Sequence, residues 1–140
     1  MLLAPFFIVA SAAVIGLLGA GHLFLTYRSK RFDPRDAALT AALAVTSPLI
    51  SDQTTMARAA QGFHASHSLG FMLFALVWSY LALFHWSMLE QSLVLLTLGL
   101  AMLLAYLMLA RRYWFSVPLR GIALANALYA AGLGMVLLAT

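Results

Sequence analysis

The chain has 140 residues, 64% of them hydrophobic and 9% charged, with a net charge of +4 at neutral pH and a mean hydropathy of +0.98. So few polar residues cannot cover one water-soluble core, and the composition places the chain in a lipid bilayer. With no cysteine, a disulfide framework, a thiol redox centre and Cys-ligated metal are excluded; the basic residues lie in short loops beside apolar runs, not on a broad wet face, which excludes a nucleic-acid binder.

A helix needs about 20 apolar residues to cross the hydrocarbon. The first such run extends from about Leu2 to Leu25. It lacks a basic segment ahead of it, so it reads as an uncleaved first span rather than a signal peptide. Arg28, Lys30, Arg31 and Arg35 follow it. A helix over about 34–48 comes next, with Asp33 as its expected N-cap and Pro34 at its first position. Pro48 ends or kinks it. It is too short to span, so it lies along the interface or re-enters against the bundle. The second span covers about 62–86, the third about 89–110 and the fourth about 119–138. The third, "LVLLTLGLAMLLAYLMLA", carries no charge.

The expected fold class is therefore all-α: one transmembrane bundle of four helices with one short interfacial helix after the first span. Four spans put Arg28–Arg35, Arg58, Arg111, Arg112 and Arg120 on one side, which the positive-inside rule makes cytoplasmic and which leaves both termini outside. Tyr27, Phe32, Tyr113, Trp114 and Phe115 fit an aromatic belt at that face, and Phe6, Phe7 and Trp86 fit the opposite one. Small residues recur at spacing four: Ala12, Gly16 and Ala20; Gly62, Ser66 and Gly70; Gly121 and Ala125; Asn126, Ala130 and Gly134. Such stripes let helices approach closely, within one bundle, in a homo-oligomer or against a larger membrane complex.

Polar side chains inside spans are costly and mark candidate sites. They share one depth here. His22 lies near the cytoplasmic end of the first span, His64 and His67 at that end of the second, Tyr106 one turn inside the third and Asn126 two turns inside the fourth. His64 and His67 are three apart and share a helix face, which Phe71 and Trp78 continue as an apolar wall. With Arg58, these residues describe a pocket for an amphiphile: His22, Arg58, His64, His67, Tyr106 and Asn126. The leading reading is a protein that binds a lipid or other hydrophobic ligand, or an accessory subunit of a larger complex, with membrane lipids as partners. One alternative is an enzyme acting on a lipid-like substrate, with His64 or His67 as general acid and base. Another is a single b-type haem held by His22 and His67. His64-x-x-His67 alone does not define a metal site.

The series "GH" (Gly21–His22), "PRD" (Pro34–Asp36), "TTM" (Thr54–Met56), "GF" (Gly62–Phe63), "SHSLG" (Ser66–Gly70) and "YWF" (Tyr113–Phe115) resembles a family of small bacterial four-helix membrane proteins. The resemblance implies a multi-pass protein of the bacterial inner membrane and directs attention to His22, Arg58 and His67. It implies no activity.

Overall fold

The computed structural model describes residues 3–139, so the expected start of the first span at Leu2 lies outside the described residues. The protein is helical, with no strand among the described residues. Among the described residues six helices follow in order: α1 Ala4–Arg28, α2 Ala37–Val45, α3 Met56–Phe84, α4 Trp86–Gln91, α5 Leu93–Tyr113 and α6 Ser116–Leu137. Of these, α1, α3, α5 and α6 are long and apolar enough to cross a membrane. This is an all-α, multi-pass membrane protein.

The helix ends follow local chemistry. The cap of α2 is Asp36 rather than Asp33: its carboxylate accepts from Ala38 N at 2.8 Å and Leu39 N at 3.4 Å. Asp33 instead closes a turn, donating its N–H to the Lys30 carbonyl at 3.2 Å. Helix α3 starts at Met56, earlier than the expected Gly62, because Thr55 Oγ1 accepts from Arg58 N at 3.4 Å and Met-Ala-Arg-Ala-Ala propagates well. The short α4 occupies the join expected between the second and third spans. Ser92 ends it and caps α5, accepting from Leu95 N at 3.3 Å. Helix α6 begins at Ser116, which puts Pro118 in its first turn, where no N–H is required.

Backbone contacts divide the chain into two units, one running up to Leu18 and again from Phe71, the other Gly19–Gly70. The first holds a close-packed core. Ile8, Ala12 and Ile15 of α1, Phe74 and Trp78 of α3, Leu96 and Leu103 of α5, and Ile122, Ala125 and Tyr129 of α6 are buried there. Its helices touch through small residues. A Cβ on Gly16 would come within 2.9 Å of Ala75 Cβ, and one on Gly132 within 3.1 Å of the Ala4 carbonyl. Polar ties cross this core. Ser11 Oγ donates to the Ala125 carbonyl at 2.7 Å. Trp78 Nε1 donates to Tyr129 Oη at 2.9 Å, and that hydroxyl donates to the Leu96 carbonyl at 3.0 Å. The Asn126 amide donates to the carbonyls of Leu103 and Ile122.

The second unit consists of the end of α1, the segment 29–55 with α2, and the start of α3. It buries little: α2 has no buried residue.

Candidate functional site: an imidazole cluster

Three of the four histidines meet in the second unit. His22 Nε2 and His64 Nδ1 are 3.1 Å apart, a hydrogen bond in which one ring donates and the other accepts. His22 and His67 meet edge-on, with centroids 5.4 Å apart. All three rings are half-buried. Phe32, from the loop after α1, packs on both members of the bonded pair: 4.4 Å from the His22 ring, and stacked on His64 at 4.8 Å with 19° between planes.

The helices hold these rings by simple means. The three-residue spacing of His64 and His67 puts both on one face of α3. The neighbouring hydroxyls do not compete for the imidazoles. Thr26 Oγ1 donates to the His22 carbonyl at 2.8 Å, and Ser68 Oγ donates to the His64 carbonyl at 2.9 Å. Each hydroxyl thus satisfies itself on its own helix, as Ser and Thr commonly do in apolar surroundings.

Of the six residues expected to form the pocket, the structure brings together His22, His64 and His67. Arg58 lies in the first turn of α3 in the same unit, with its side chain exposed. Tyr106 and Asn126 belong to the other unit. There Tyr106 packs against Phe71, ring to ring at 4.4 Å, and Asn126 ties α6 to α5. Phe32 was expected only as a belt aromatic, yet it is part of the cluster. A loop residue carries no periodicity that would announce this. The fourth histidine, His85, bonds to Tyr80 Oη at 2.9 Å. An open hollow runs along the end of α5, lined by Leu104, Leu107, Met108, Arg111 and Arg112.

Chemically, a bonded imidazole pair holds one shared proton and needs a lone pair on one of its two facing nitrogens. A proton taken up on the far nitrogen of one ring can leave from the far nitrogen of the other. The cluster is therefore suited to orienting a polar group or moving a proton. It is not arranged for a metal. Among the described residues no three His, Asp or Glu side chains form a set that could hold an ion. The facing nitrogens of His22 and His64 point at each other, not at a common point. A haem between His22 and His67 does not fit these rings as placed: His22 commits its Nε2 to His64 and meets His67 edge-on, whereas axial ligands must aim at one iron from opposite faces of the macrocycle.

Comparison with protein-family models, with curated proteins and with solved structures finds no match.

Proposed function

We propose that this protein binds an amphiphilic molecule through the imidazole cluster at one end of α1 and α3. The observation that carries the reading is the convergence of three half-buried histidines from two apolar helices with Phe32 from the loop after α1. A helix-to-helix tie needs one bonded pair. A third imidazole and an aromatic cover exceed that need, and intramembrane polar groups in excess of packing needs mark ligand sites. Arg58, exposed one helical stretch before His64, supplies a cation for an acidic head group. With four spans the basic residues fall on one side, which we read as cytoplasmic by the positive-inside rule; a bacterial inner membrane is what the motif resemblance implies.

The test is native mass spectrometry of protein extracted without delipidation. The parent carries a stoichiometric added mass, and His67→Ala, His67→Phe and His22→Phe each lose it while keeping the helical content. A bare parent, or variants that keep the same adduct, overturns the reading. The His22–His64 bond favours a second reading, in which the pair is a proton-transfer device acting on a lipid-like substrate, with His64 or His67 as the group that meets it. In that case the adduct from the parent is a product, and the His67→Phe protein accumulates its precursor.

A further inference from the structure

Segment 47–55 contains an apolar tip that no packing explains. Ser51 N donates to the Pro48 carbonyl at 3.2 Å, so Pro48–Ser51 is a turn with Leu49 and Ile50 at its corners. Turn corners in water are the province of Gly, Asn, Asp and Ser. Here the corners are two large aliphatics, Ile50 92% exposed and Leu49 fully so. The neck of this loop is closed. Met56 N donates to the Thr46 carbonyl at 2.8 Å, and Met56 is the first residue of α3, a helix long and apolar enough to cross a membrane. The tip is therefore tethered to the start of that helix. Helix α2, which leads into it, exposes Leu39 and Val45 and buries nothing. The run that precedes α2 carries Arg28, Lys30, Arg31 and Arg35, all exposed.

We propose that α2 and the turn after it form a membrane anchor, in which Leu49 and Ile50 insert among the acyl chains of the leaflet at the Arg28 end of α1 and the basic run contacts acidic phospholipid head groups. Aliphatic tips beside cations suit this surface, because hydrocarbon takes the side chains while the anionic interface holds the charges. The anchor fixes the loop that carries Phe32. It stands on the exposure and closure of the loop, not on the imidazole cluster.

The chain contains no cysteine, so single labels report cleanly. Leu49→Cys and Gln53→Cys, each carrying an environment-sensitive fluorophore, are placed in vesicles of phosphatidylcholine with or without phosphatidylglycerol. Quenching by spin-labelled lipid and by aqueous iodide is then compared. The expected result is several-fold stronger lipid quenching at position 49 than at position 53, with iodide reaching only position 53. This contrast holds when the protein is diluted in lipid and deepens with phosphatidylglycerol. Equal iodide access at both positions overturns the proposal. Shielding at position 49 that disappears on dilution also overturns it, since a second copy of the chain would then be the cover. An identical depth without phosphatidylglycerol removes the acidic head groups from it.

Discussion

Gly99 faces the tie between Trp78 and Tyr129. A Cβ built there overlaps Tyr129 Oη, Tyr129 Cζ and Trp78 Nε1. Gly99→Ala must therefore push the phenol or the indole aside. The forced shift of a packed core costs about 1–3 kcal/mol. Two bonds are lost with it, Trp78 to Tyr129 and Tyr129 to Leu96, each about 0.6 kcal/mol on average inside a membrane. The better helix propensity of Ala returns up to about 1 kcal/mol. The net destabilisation is then about 2 kcal/mol. Tyr129→Phe alone removes the hydroxyl and strands the buried Trp78 N–H, for about 1–2 kcal/mol. Combining the two is the sharper measurement. Without Oη, the new methyl meets one atom fewer, and the bonds lost in one single variant are already gone in the other. The double variant should be less destabilised than the sum by about 1 kcal/mol. Unfolding by titrated sodium dodecyl sulfate in mixed micelles, followed by tryptophan fluorescence and circular dichroism, gives all four values. A Gly99→Ala protein as stable as the parent, or strict additivity, refutes the overlap.

Gly16 and Gly134 share the small-residue pattern but not the surroundings: a Cβ on Gly16 would press on Ala75, while Gly134 has nothing within 4 Å. Gly16→Leu should abolish the folded state in the same titration, and Gly134→Leu should leave its midpoint unchanged. Asn126→Leu should cost less than about 1 kcal/mol, because the substitution also removes the buried Asn126 Oδ1, which has no hydrogen-bond partner; a cost of several kcal/mol would show that the amide does more than tie α6 to α5. Phe32→Ala uncovers the His22–His64 pair, so diethylpyrocarbonate should modify those two rings several-fold faster, read by peptide mass spectrometry; an unchanged rate means the phenyl ring is no cover.

The spans were legible because a helix in lipid needs a continuous apolar run, and α5 is such a run nearly from end to end. Their ends were less so. Asp33 and Asp36 both offer a carboxylate before helix-forming residues, and only the turn that engages Asp33 decides for Asp36. Small-residue spacing reveals a face but not what meets it. Gly62 and Gly134 fit the pattern and have open space beyond them, whereas Gly99, outside any stripe, faces an overlap with Tyr129 and Trp78. What seats Gly99 is the bulk of Tyr129 and Trp78, from helices far away in the chain, and no local pattern records that.

The polar residues show the same division, and it bears on function. His22, His64, His67, Tyr106 and Asn126 read as one array because they share a depth along their spans. In the structure their surroundings differ in kind. Tyr106 packs ring to ring against Phe71. The Asn126 amide, like the Tyr129 hydroxyl outside that array, ends on a backbone carbonyl of α5, a partner every helix offers, so its contribution closes with packing. His22 and His64 end on each other. Each imidazole carries two ring nitrogens, and a bond between the rings uses one from each. The pair keeps a second nitrogen per ring for chemistry that the helices themselves do not need. The functional weight therefore falls on the imidazoles and Phe32, and the amide and phenol of the other unit are accounted for by holding helices together.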